Sequence, residues 1–249
     1  MSTSLLRDQI SALKQPFHAL AVAGMLLAAG SAPAATTVIS DGTFAASNWS
    51  LQIGPTTTPG ITAGDNQVTS GGDPGSYLAV NYGPTGPADG ILNMMTYFTG
   101  QSYSPQSQGP ISSISFSADL KNVTGLNIVF FGLFQDNRAY LLDLPGLQLT
   151  SSWTGYSRSG STLNNFLSED YLTHPNLLNG DPIEFGILTS DSSFGGFLAG
   201  SYGIDNFQAT ITSTPEPRTW VLAALGILAI ALSNRMNRQG TKTRRRTGN

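Results

Sequence analysis

The central part of this chain predicts an all-β fold, an antiparallel β-sandwich of the jelly-roll kind. Three observations predict it. Short runs rich in Val, Ile, Phe and Tyr are separated by Gly, Pro, Asn and Ser clusters. No helical periods alternate with those runs, so a βαβ arrangement is excluded. Residues 111–120 read ISSISFSADL, alternating from Ile114 onward as a half-buried strand does.

Taken in order, strands are expected over residues 37–39, 49–53, 77–82, 91–98 and 111–120. Further strands are expected over 126–134, 138–144, 147–150, 155–159, 183–189 and 207–212. Residues 127–134, NIVFFGLF, are apolar almost without a break, the pattern of a central strand covered on both faces. Residues 54–75 and 83–90, rich in Gly, Pro and Thr, are expected as loops. Residues 163–172 are the one stretch that suits a short helix. No fixed repeat is present.

Both ends of the chain are addressing segments. Arg7 and Lys14 precede the apolar run 19–29, and Ala32-Pro33-Ala34 follows. This is the order of a secretory signal peptide over residues 1–34, cut between Ala34 and Ala35. No twin arginine precedes the run, which points to export through the general secretory route. At the other end, Thr214-Pro215-Glu216-Pro217-Arg218 leads into an uncharged apolar stretch, 219–234. The stretch is apolar on every side, as a membrane helix is and an amphipathic core helix is not. Its central part, 220–232, spans about 20 Å against a hydrocarbon core of about 30 Å. Snorkelling by Arg218 and Arg235 narrows that gap. A basic tail over 235–249 follows, with Arg235, Arg238, Lys242, Arg244, Arg245 and Arg246. The basic side stays cytoplasmic, which leaves the body outside.

Pro215-Glu216-Pro217, the short apolar helix and the arginine cluster, in that order, resemble the PEP-CTERM protein-sorting signal. The resemblance covers residues 214 to about 246. It implies recognition by exosortase, a membrane-embedded cysteine peptidase, and removal of the tail. It also implies delivery to the envelope, surface or extracellular matrix of a Gram-negative bacterium. The two prolines keep the motif extended, as a peptidase cleft requires, and Glu216 supplies a recognition charge. The chain therefore divides into residues 1–34, a body over 35–213, and the sorting region 214–249.

Charge separates body from tail. The body holds three bases, Lys121, Arg138 and Arg158, against thirteen acids, a net of about −10, although the whole chain is at −3. Such a body excludes nucleic-acid binding through phosphates. No cysteine is present, which excludes a disulfide framework and thiol chemistry.

Catalysis has little to work with. His174 is the body's one histidine and sits in a turn-like Thr-His-Pro-Asn. No Gly-x-Ser-x-Gly element accompanies it, so a serine triad lacks its parts. Histidine-based zinc is excluded by count. Glu169 and Glu184 are the body's two glutamates, and a glycoside hydrolase would need them as its facing acids. The expectation is a non-catalytic protein. A purely structural envelope protein and a glycoside hydrolase are the alternatives.

Two short stretches carry a second resemblance. Asp41-Gly42-Thr43-Phe44 with Asn48-Trp49-Ser50, and Tyr202-Gly203-Ile204-Asp205-Asn206-Phe207, are similar to the opening and closing strands of carbohydrate-binding jelly-roll modules. The resemblance implies a structural calcium ion at Asp41 and Asp205, and an extracellular polysaccharide as partner. Sugar rings stack on exposed aromatics. Tyr82, Tyr97, Tyr103, Trp153, Tyr156 and Tyr202 are candidates, with Tyr82, Tyr156 and Tyr202 foremost.

Overall fold

A computed structural model describes residues 34–54, 60–84, 90–125, 128–142, 145–193 and 199–214. The signal segment through residue 33, and the sorting motif Pro215, Glu216 and Pro217 with its apolar run and basic tail, lie outside the described residues. Among the described residues no helix is long and apolar enough to cross a membrane. Residues 34–214 form one compact unit.

That unit is an antiparallel two-sheet sandwich. Its strands are β1 (Thr36–Ser40), β2 (Trp49–Ile53), β3 (Ile61–Gly72), β4 (Gly75–Pro84), β5 (Gly90–Tyr103), β6 (Ile111–Thr124) and β7 (Ile128–Gln135). They continue as β8 (Arg138–Leu142), β9 (Leu147–Gln148), β10 (Thr154–Ser161), β11 (Phe166–Ser168), β12 (Ile183–Ser193) and β13 (Gly200–Ser213). A four-residue helix, α1 (Pro105–Gln108), links β5 to β6. One sheet runs β10-β6-β13-β4-β3, with β1 also on β13. The other runs β11-β8-β7-β12-β5-β2, with β9 also on β7.

Alternation drives the assembly. In β6, Ile114, Phe116, Ala118 and Leu120 are buried while the residues between them are not. Phe116 stacks on Phe131 of the facing sheet at 5.2 Å and tilts against Phe166 and Phe185. Each such ring contributes about 1.5–3 kcal/mol by burial. At the opening of the domain, Trp49 packs between Phe98 and Phe207 at 5.5 and 5.4 Å. Its indole N–H donates to Asp41 Oδ2 at 2.8 Å. The β7–β8 hairpin turns on Asp136 and Asn137, both with positive φ (54° and 58°). Two left-handed residues make the tight turn whose twist suits paired strands, and Asp and Asn tolerate it.

Two local expectations are corrected. Residues 61–72, inside the expected loop 54–75, form β3, an edge strand paired along β4. Its inward side carries only a weak apolar signal, from Ile61 and Ala63. Residues 163–172 are not a helix. A capping box between Thr162 and Asn165 closes one 3-10 turn, Leu163–Asn165, and Phe166 then enters β11 in the core.

Candidate functional site

The strand register assigns each side chain of the seven-stranded sheet to a face. Phe185, Ile187 and Thr189 of β12 lie opposite Phe98, Thr96 and Met94 of β5, and all six are buried between the sheets. The alternate set points outward. Glu184, Gly186 and Leu188 of β12 lie beside Phe134, Gly132 and Phe130 of β7. Gly186 and Leu188 also lie beside Tyr97 and Met95 of β5.

This outer face is apolar. Met95, Ala139, Leu141 and Leu188 make a second buried cluster, separate from the main core, with half-buried Tyr97, Phe130 and Phe134 packed on it. The rings of Tyr97 and Phe134 stack at 4.4 Å and 15°.

The face is also hollow. Gln52 of β2 and Ala139 of β8 line one cleft, together with Gly54, Asn137, Arg138, Ser168, Glu169 and Asp170. Three strands separate β2 from β8 in the sheet. Outward side chains from such distant strands meet only where a sheet coils strongly about its outer side. The approach is close: a Cβ added at Gly54 would stand 2.3 Å from the Glu169 carboxylate oxygens.

Electrostatics mark the rim. Burial, and next the neighbouring Asp170, raise the Glu169 carboxyl above its usual range. Burial alone raises Glu184. Asp170 is lowered, first by the Ser168 hydroxyl and then by the Leu172 N–H. Arg138 donates to Thr173 Oγ1 at 3.2 Å. The cleft thus carries amide, carboxyl and guanidinium groups, and Ala139 joins it to the outer cluster on which Tyr97, Phe130 and Phe134 pack. Flat rings suit the apolar face of a sugar, and the rim suits its hydroxyls.

The residues expected from sequence to bind sugar lie elsewhere. Tyr202 is fully buried, and its hydroxyl accepts from Thr189 Oγ1 at 2.9 Å. Tyr82 is 5% exposed and donates to Asp191 Oδ2 at 2.9 Å. Neither ring is open to a ligand, which corrects the expectation for both. Within the six-stranded sheet Tyr202 pairs with Val80 and Tyr82 with Ala63, positions that pack into the core. Tyr156 packs half-buried on the core edge and donates to the Gln148 carbonyl at 2.8 Å. Tyr97, partly buried, packs on the outer cluster of the seven-stranded sheet that includes Ala139 of the cleft. Phe130 and Phe134 lie in the run 127–134, whose unbroken apolarity is the signal that identifies them.

The two aspartates implied for calcium are each tied to their own surroundings. Asp41 Oδ1 accepts from Thr43 N at 2.7 Å, Thr43 Oγ1 at 2.8 Å and Phe44 N at 3.1 Å, and Oδ2 accepts from Trp49. Asp205 accepts from the Asp73 and Asn206 backbone N–H groups, which fixes the β3–β4 turn to β13. Among the described residues no three His, Cys, Asp or Glu side chains gather as a metal site. His174 donates Nδ1–H to the Phe166 carbonyl at 2.6 Å, a bond that shapes its turn. Ala34 and Ala35 are exposed at the start of the described chain, and the Ala35 carbonyl accepts from Ser213 N at 2.9 Å.

No protein-family model matches the chain, and no curated protein does. Solved structures similar to it include a family 11 carbohydrate-binding module from Clostridium thermocellum in complex with a β-1,3-1,4-mixed-linked tetrasaccharide. That match has 18% identity and a TM-score of 0.44, and covers 75% of this chain and 99% of that one. Another is the CBM22-1–CBM22-2 tandem of Paenibacillus barcinonensis Xyn10C, at 15% identity and TM-score 0.40, covering 76% of this chain and 49% of that one. A third is TmCBM61 in complex with β-1,4-galactotriose, at 11% identity and TM-score 0.34, covering 67% and 90%. Since all three scores lie below 0.5, the assignment of the fold rests on the chain's own strands.

Proposed function

We propose that this is an exported, non-catalytic surface protein whose jelly-roll sandwich binds extracellular polysaccharide in the hollow of the seven-stranded sheet. The observation that carries the reading is the Tyr97–Phe134 stack beside Phe130, on the same outer face as a cleft lined by Gln52, Asn137, Arg138 and Glu169 and joined to it through Ala139. Aromatic faces exclude water from the apolar side of a pyranose, and amide and charged groups select its hydroxyls. In the same reading the PEP-CTERM region, centred on Pro215, Glu216 and Pro217, anchors the chain until exosortase removes it.

A glycan array probed with the purified full chain tests the binding half. Binding that is lost in Tyr97→Ala supports the reading, and a folded chain that binds nothing on the array overturns it. Truncation after Thr214 tests the sorting half. The truncated chain should leave the membrane fraction, and its continued sedimentation with membranes would refute the anchor.

A further inference from the structure

We propose that one end of the sandwich rests on a lipid bilayer, with Tyr171, Leu172 and Leu178 as its contacts. The inference rests on the anchored reading above. It starts from three side chains that the core does not use. Leu172 is 80% exposed, and Tyr171 and Leu178 are each 61% exposed. All three lie in the segment between β11 and β12.

That segment is well held, so its exposed side chains are presented rather than loose. Ser168 N donates to the Thr173 carbonyl at 2.9 Å, and Thr173 N donates back to Ser168 Oγ at 3.0 Å. Tyr171 N donates to the Ser168 carbonyl at 2.8 Å, and Leu172 N to Asp170 Oδ1 at 3.1 Å. Asn176 Oδ1 accepts from the N–H groups of Leu178 and Asn179, each at 3.2 Å. Tyr171 is held at φ 59°. A bulky residue in that region persists only where its surroundings fix it.

The segment stands where the chain leaves the domain. The Leu177 carbonyl accepts from Ile111 N at 2.8 Å, and the neighbouring Pro110 carbonyl accepts from Thr214 N at 2.7 Å. Thr214 is the last described residue. Only residues 215–218 separate it from the apolar run that starts at Thr219. Four residues reach at most about 14 Å when extended. The headgroup layer takes up roughly 5–8 Å of that reach. An anchored sandwich must therefore sit with its Thr214 end at the lipid surface, and that is the end that displays the leucines. Exposed apolar side chains at such a surface settle about 5–10 Å into the headgroup and acyl boundary. Asp136 lies beside Asp181, and Asp170 beside Arg138, which bonds Thr173 of this segment, so acids outnumber bases there and the favoured surface is zwitterionic rather than anionic.

The test uses the full chain, which has no cysteine of its own. Leu172→Cys, Leu178→Cys and Val123→Cys are labelled singly with a polarity-sensitive dye. Each is reconstituted in phosphatidylethanolamine–phosphatidylcholine vesicles containing brominated lipid. Val123 is 52% exposed and serves as the control, since it lies twelve residues along β6 from Ile111, roughly 40 Å away. Labels at 172 and 178 should be quenched at least about twofold more than the label at 123. Equal quenching in chains that float with the vesicles would overturn the bilayer contact and leave the anchor intact. Chains that fail to float would remove the anchored reading and this inference with it.

Discussion

β6 and β7 follow one another in the chain and lie in opposite sheets. Their inner faces are alike, since Phe116 and Phe131 stack on each other in the core. Their outer faces are not. β6 turns Ser115, Ser117 and Asp119 outward, and β7 turns Phe130, Gly132 and Phe134 outward. On the outside of the six-stranded sheet, one aromatic is covered by local packing. Trp153 lies edge-on to Tyr77 at 5.1 Å, under Lys121 at 5.9 Å, and donates to the Gly71 carbonyl at 2.8 Å. It fits because residue 203 is glycine, where a Cβ would stand 2.6 Å from the indole. One sheet therefore has an aromatic that its own neighbours use up. The other has aromatics on an outer face that also carries a cleft.

The contrast can be broken by substitution along single strands. Phe131→Ala empties a buried site and should cost about 3–5 kcal/mol. In a domain of this size that lowers Tm by about 10 °C in a thermal melt. Trp153→Ala should cost about 2 kcal/mol in denaturant titration and leave glycan affinity unchanged. A loss of affinity there would show that the six-stranded face also binds. Phe134→Ala should do the reverse. Calorimetric titration should show about tenfold weaker glycan binding, near 1.4 kcal/mol, with a smaller change in stability.

The smallest effect concerns pH. Burial raises the folded-state carboxyl of Glu184 above its ordinary value of 4.5. The folded chain thus holds that proton more tightly than the unfolded chain does. The resulting stabilisation is complete below about pH 4.5 and fades as pH rises through the raised value. Glu184→Gln carries no such charge, so it should gain on the wild type between about pH 4 and 7. The group is largely solvated, which keeps the gain under about 1 kcal/mol. Parallel melts of the two proteins across that range would measure it.

Much of the sandwich was legible because burial imposes period two on strands with one wet face. β6 shows this most clearly. β3 was not legible, since an edge strand presents little apolar surface and its Gly, Asn and Thr resemble a loop. The false helix at 163–172 arose because Phe166 and Leu167 supply spacing that a turn and a strand supply equally well. The site was half legible. Tyr97 stood among the aromatic candidates, but sequence does not say which way a tyrosine faces. Tyr82 and Tyr202 face inward, where Tyr82 donates to Asp191 and the Tyr202 hydroxyl is bonded to Thr96 and accepts from Thr189. The unbroken run in β7 carried the missing information. Such a run marks cover by a second layer or a surface kept free for a ligand, and only the coil of the sheet distinguishes the two.

β13 is the last strand among the described residues, and it pairs with three others, β1, β4 and β6. Its pairing with β1 joins residues 36–40 to 208–212, nearly the full length of the domain. Contacts of such long sequence separation make assembly slow, because the loop-closure entropy must be met before the pairing forms. A chain emerging N-terminus first therefore has no complete six-stranded sheet until residue 213 is out. Through most of its synthesis the domain remains a threadable polypeptide, and it becomes a rigid body only at the final strand.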